Sequence, residues 1–106
     1  MISHTLQEKV VVIAGGGKNL GGLIAKEFAK GGAAAVVIHY NSESSKNSAY
    51  QVASDVERYG AKSLVIQGDF TKPCVIKSVF DSAKKTFGKV DIAINTVGMV
   101  LKKPIL

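Results

Sequence analysis

Cysteine is nearly missing from this 106-residue chain, which holds a single one, Cys74. One thiol excludes an internal disulfide framework and points to a reducing compartment such as the cytosol. Long apolar runs are missing as well. The uninterrupted apolar stretches fall far short of a membrane span. The N-terminal segment before Val10 carries no apolar secretory stretch. A cytoplasmic protein that does not contact membranes is the expectation. Histidine is confined to His4 and His39, neither with a partner at ligand spacing, so no metal site is expected and both are read as ordinary residues. Acidic residues are few, 8 against 14 lysines and arginines, giving a net charge of +6 and a pI near 9.6. Such a balance raises the question of nucleic acid. The lysines, however, are scattered from Lys9 to Lys103, and no basic stripe alternates with aromatics. The reading is a solvated basic surface, with no nucleic-acid partner.

What is present suits a folded core. The chain is 46% hydrophobic and 21% charged, a balance that argues against disorder. At this length it is one domain or part of one. The most informative stretch is Val10–Ala14 followed by Gly15-Gly16-Gly17-Lys18-Asn19-Leu20-Gly21-Gly22. A β-branched run enters a glycine cluster, and helical periodicity begins directly after it. Strand, tight turn and helix in that order build an anion site from backbone alone. The glycines keep side chains out of the way. The first helical turn then aims unpaired N–H groups and the positive end of its dipole at a phosphate. The chain is therefore expected to bind a nucleotide.

The rest of the pattern alternates. Leu20, Leu23, Ile24 and Phe28 recur at helical spacing, and Gly31-Gly32 stops that helix. Residues 34–39 form the next buried run. Ser42 is a candidate N-cap for a second helix with Ala49, Val52, Ala53, Val56 and Tyr59 on one face, ending at Gly60. Residues 63–67 read as a third strand. Thr71 caps a third helix whose buried side carries Val75, Ile76, Val79, Phe80, Ala83 and Phe87, and Cys74 is assigned to packing in that helix. Residues 90–95 read as a fourth strand. The order βαβαβαβ, with strands apolar on both faces, implies an α/β fold: a doubly wound parallel sheet of Rossmann type covered by helices on both sides. Each crossover is expected to be right-handed. The tail from Val100 has the character of the start of a further segment, so a single domain continuing past residue 106 is expected.

The glycine segment departs from the commonest dinucleotide fingerprint. It fits a longer loop, Gly-x-x-x-Gly-x-Gly, with Asn19 in the middle glycine position. In this it resembles the short-chain dehydrogenase/reductase family. Gly68-Asp69-Phe70-Thr71 is similar to that family's Asp-x-Ser/Thr segment, and Phe87-Gly-Lys-Val-Asp-Ile-Ala-Ile-Asn95-Thr-Val-Gly98 to its fourth-strand block. Asn95 and Gly98 match that block, whereas Thr96 and Val97 depart from it. Ala14 stands where threonine is usual. The resemblance spans essentially the whole chain but only the cofactor-binding half of the family. It implies the strand order 3-2-1-4. It also implies a dinucleotide held by Gly15, Gly17, Lys18, Asn19, Leu20 and Gly21, with Asp69 and Phe70 at the adenine and Asn95 and Gly98 at the adenosine ribose. Where an NAD enzyme places an acid at the end of the second strand, this chain has Tyr40-Asn41-Ser42. With Lys18 these residues form a pocket for a 2′-phosphate, so NADP(H) is the expected cofactor.

The family's chemistry uses a tyrosine with a lysine four residues on. Here Tyr40, Tyr50 and Tyr59 are followed at that distance by Ser44, Ser54 and Ser63, so no catalytic residue is assigned. The reading is the cofactor-binding portion of an NADP(H)-dependent oxidoreductase acting on a carbonyl or alcohol substrate, a homo-oligomer when complete. The alternatives are a non-enzymatic NADP-binding module that pairs with another chain and, on charge alone, a nucleic-acid-binding domain. Strand order 3-2-1-4 leaves the fourth strand as an edge, which predicts marginal stability and self-association.

Overall fold

The computed structural model of the chain describes residues 8–15, 19–41, 43–69 and 72–95. The elements are β1 (Val10–Ala14), α1 (Asn19–Lys30), β2 (Ala35–Tyr40), a 3₁₀ turn (Glu43–Ser45), α2 (Lys46–Arg58), β3 (Lys62–Gln67), α3 (Pro73–Phe87) and β4 (Ile92–Asn95). The four strands form one sheet in the order β3-β2-β1-β4, parallel throughout. This is the Rossmann-like doubly wound topology expected from the resemblance.

The register follows from burial on both faces. Every residue of β1 and β2 is buried, as central parallel strands require. Alternation along each strand then sorts side chains into two layers. Val11, Ile13, Val36, Ile38 and Tyr40 pack with Ala25, Ala29, Ala49, Val52, Ala53 and Val56 of α1 and α2. Val12 and Val37 meet Val79 and Ala83 of α3, with Leu64, Ile66, Val75 and Phe80 around them. The two-sidedness has a topological cause. From β1 the chain steps to β2 and then β3 in one direction, and from β3 it returns past β1 to β4. With every crossover of the same hand, the reversed step puts its helix on the opposite face.

Asp91 pins the returning strand. Val10 N–H donates to Asp91 Oδ2 at 2.9 Å, and Asp91 N–H donates to the Val10 carbonyl at 2.9 Å. Lys89 Nζ lies 3.2 Å from the same carboxylate oxygen.

Several expectations are corrected. The second helix begins at Lys46 after the 3₁₀ turn, with Ser45 at its N-cap position making no side-chain cap bond. Ser42 lies outside the described residues. Leu23 is 55% exposed, because the buried stripe of α1 runs through Gly21, Ala25 and Ala29 and residue 23 points roughly 200° from residue 21. Tyr59 is 48% exposed. The helix has ended by then, and the ring turns outward beneath Lys30 Nζ, 5.5 Å from its centroid. Cys74 is exposed rather than packed. It falls beside the inward stripe of Val75, Val79 and Ala83, on the outer side with Lys77, Ser78 and Asp81. The third helix has Lys72 at its N-cap position and Pro73 in the first turn, the position where proline costs no backbone hydrogen bond. Thr71 lies outside the described residues. The fourth strand starts at Ile92, two residues later than the pattern suggests.

Candidate cofactor site

All four strands point their carboxyl ends the same way, and the order reverses at β1. The crevice beyond β1 and β4 is thus the switch point at which open α/β sheets take ligands. Ala14, the last residue of β1, pairs with Asn95, the last of β4. Directly after β1 the backbone of Gly15 adopts φ +78°, a left-handed conformation that glycine reaches without steric cost. Helix α1 opens at Asn19, and Gly21 and Gly22 in its first turn are buried. Without side chains there, the start of α1 can sit close to the sheet.

The neighbouring strand ends are held by backbone and side-chain bonds. Gly68 N–H donates to the Tyr40 carbonyl at 3.0 Å, and Lys72 N–H to the Asp69 carbonyl at 3.0 Å. Gln67 Nε2 donates to the Asn41 carbonyl at 3.3 Å. A Cβ placed on Gly68 would collide with Cγ1 of Val75 in the first turn of α3. Glycine is therefore required at that point to let α3 approach the end of β3.

One side chain joins these parts, and the sequence did not single it out. His39 is fully buried at the end of β2. Gly15 N–H donates to its Nδ1 at 3.2 Å, and its Nε2 lies 2.6 Å from the Gly68 carbonyl. A backbone N–H can only donate and a carbonyl can only accept. The ring must therefore be the neutral tautomer with hydrogen on Nε2. Burial lowers its pKa from the ordinary value of 6.5, and the Gly68 bond opposes that shift in part. The available signal was period-two alternation in β2, which puts residues 37 and 39 on one inner face, but nothing local names partners 24 and 29 residues away.

The predicted site residues fall as follows. Gly15 follows β1 and Asp69 follows β3, the strands on either side of β2, with Asp69 half-buried and Asn41 exposed. Tyr40 is 5% exposed, with its ring in the core against α1 and α2. Asn19 and Leu20 form the first residues of α1, Gly21 is buried behind them, and Asn95 ends β4. Gly17, Lys18, Ser42, Phe70 and Gly98 lie outside the described residues. Among the described residues no helix is long and apolar enough to cross a membrane.

Against known proteins, the short chain dehydrogenase family profile matches residues 9–106. The chain is 35% identical over 91 residues to tetrahydroxynaphthalene reductase PfmaG of Pestalotiopsis fici, covering 86% of this chain and 32% of that protein. It is 34% identical over 103 residues to hydroxynaphthalene reductase-like protein Arp2 of Metarhizium acridum, covering 97% and 38%. Among solved structures, a dehydrogenase from Burkholderia cenocepacia with bound NADP superposes with a TM-score of 0.87 at 55% identity, over 94% of this chain and 38% of that one. A short-chain dehydrogenase from Oenococcus oeni superposes with a TM-score of 0.84 at 48% identity, over 95% and 45%. The chain thus spans less than half the length of each of these relatives.

Proposed function

Since the chain belongs to the short-chain dehydrogenase family, whose members are oxidoreductases that bind a nicotinamide cofactor, we propose that it forms the NADP(H)-binding portion of a reductase acting on a carbonyl or alcohol substrate. The observation that carries this reading is the left-handed Gly15 turn between buried β1 and α1, at the switch point of the sheet. The residues fit a dinucleotide. The positive end of α1, which opens at Asn19 just after the Gly15 turn, would favour a pyrophosphate, and the missing Cβ at Gly68 lets Val75 of α3 approach the end of β3. Lys18 with the Tyr40-Asn41-Ser42 turn would hold a 2′-phosphate, and the missing acid removes the usual partner of a free ribose hydroxyl pair. Asp69 and Phe70 would sit at the adenine, Asn95 and Gly98 at its ribose. The NADP-bound state of the Burkholderia relative supports the choice of cofactor.

When bound, NADPH supplies a hydride at its nicotinamide ring. This chain's residues bind and orient the donor. Proton transfer to a developing alkoxide falls to residues outside it, since Tyr40 is buried in the core and Tyr50 and Tyr59 are exposed on the α2 side. The substrate pocket, the cytoplasmic location and assembly into a homo-oligomer belong to this proposal for the intact protein. The test is a titration of the chain with NADPH, NADH and an oligonucleotide, read by amide NMR. Preferential shifts with NADPH at Gly15, Asn41 and Asp69 are expected. Equal response to both dinucleotides would remove the NADP preference, and response to the oligonucleotide alone would overturn the reading.

A further inference from the structure

We infer that His39 is a positioning residue for dinucleotide binding: its neutral imidazole ties the first turn of the glycine loop to the Gly68-Asp69 turn and so sets the span between the phosphate and adenine ends of the site. This rests on the cofactor reading above.

The geometry is specific. The ring sits on β2 between β1 and β3 and is bonded at both nitrogens, to Gly15 on one side and Gly68 on the other. It therefore bridges three adjacent strands at their carboxyl ends. Both anchors are glycines with constraints of their own, a left-handed backbone at Gly15 and close approach of Val75 at Gly68. Neither can shift without losing its own fit. A planar ring with donor and acceptor at fixed separation holds those anchors at one distance, which a flexible side chain would not do.

Protonation would break the tie. An imidazolium carries hydrogen on both nitrogens, so Gly15 N–H would face another donor and lose its acceptor at a part-buried position. The surrounding inner surfaces are apolar: Val12 of β1, Leu64 and Ile66 of β3, Val75 and Val79 of α3. The charged groups of α3, Lys77, Asp81, Lys84 and Lys85, are on its exposed side. Lys62 is at the far end of β3, and Asp69 adjoins the Gly68 anchor. The native pKa lies below the unfolded value of 6.5. The tie is therefore fully present above that value and is lost as pH falls through the native pKa.

The experiment compares the wild-type chain with His39→Leu and His39→Asn, using NADP⁺, 2′,5′-ADP and nicotinamide mononucleotide as probes in calorimetric titrations at neutral and acidic pH. His39→Leu should weaken NADP⁺ roughly tenfold, the loss of about one buried hydrogen bond. 2′,5′-ADP, which carries both the adenine and a 5′-phosphate, should lose about as much, whereas nicotinamide mononucleotide, which has no adenine and does not sample the span, should lose far less. His39→Asn, which keeps an acceptor near the Nδ1 position, should recover part of the loss. The wild type should lose affinity on acidification beyond the loss seen in His39→Leu. Equal losses for NADP⁺ and nicotinamide mononucleotide, or wild-type affinity and pH profile in His39→Leu, would overturn the inference. Should the leucine variant not fold, nitrogen NMR of the wild-type imidazole decides: hydrogen on Nε2, with the Gly15 amide shifting as the ring titrates, supports the tie, and hydrogen on Nδ1 refutes it. A wild-type chain that binds none of the three probes would defeat the cofactor reading, and the NMR result reports the tie separately from that failure.

Discussion

Gly68 shows how a single missing methyl group can shape a site. A Cβ there meets Val75 Cγ1, and valine in a helix is held to one χ1 rotamer, so the neighbour cannot swing aside. Gly68→Ala should destabilise the chain by about 1–3 kcal/mol, read as a lower urea midpoint, and adding Val75→Ala should return part of it. Asp91 acts electrostatically. Chiefly through the Val10 N–H bond, and also through Lys89, its carboxyl is held below the ordinary 3.8. The depressed carboxylate contributes stability above its unfolded value that is lost as pH falls through the native one. Asp91→Asn should flatten the acid limb of stability below about pH 4, followed by circular dichroism. A change confined to the neutral range would show that another group titrates. A charge-assisted phosphate contact of the kind proposed for Lys18 contributes about 1.5–3 kcal/mol, or roughly ten- to hundredfold. Lys18→Ala should erode the preference for NADPH while sparing NADH, measured as the ratio of their dissociation constants.

At the scale of elements, β4 is the exposed flank. It is four residues long and, among the described residues, pairs only with β1. Ile92 and Ile94 are half-buried and Ala93 is exposed. An apolar edge with free backbone groups templates association. Sedimentation velocity on the chain should show self-association that rises with concentration, and a monodisperse monomer at high concentration would contradict this. The strands were the most legible elements. A central parallel strand must be apolar on both faces, and the β-branched run Val10–Ala14, closed off by glycine, is too short to be a helix. Helix starts were less so. Ser42, Ser44 and Ser45 are all good caps by type, and only packing decides that α2 opens at Lys46. Leu23, Tyr59 and Cys74 mislead for one reason. Apolar side chains near a buried stripe match its periodicity loosely, while exposure depends on where the partner surface stops. The glycine turn and the Asp69 segment could be read locally. The His39 bridge could not, since it exists only when three strand ends meet.

At the scale of the whole molecule, the fold presents a carboxyl edge suited to hold a dinucleotide and no tyrosine with a lysine four residues on. Proton transfer of that kind contributes about 10²–10⁴ in rate, and positioning more. Residues 1–106 alone should therefore show no NADPH oxidation against a panel of ketones and quinones, and a C-terminal segment from a full-length relative, supplied in cis or as a second chain, should bring turnover. Turnover by residues 1–106 alone at rates typical of enzymes would place the active site elsewhere. The sheet order carries one more consequence, for the nascent chain. β1 is made first yet ends in the middle, and its bond to Asp91 spans 81 residues. As the polypeptide leaves the ribosome, β1, β2 and β3 can assemble in the order they emerge, while one flank of β1 waits open for β4. Closure of that flank is the longest-range step in the described fold and so the slowest by loop entropy. Until it occurs, the glycine turn has a strand on only one side, and synthesis must run to about residue 95 before the cofactor crevice exists at all.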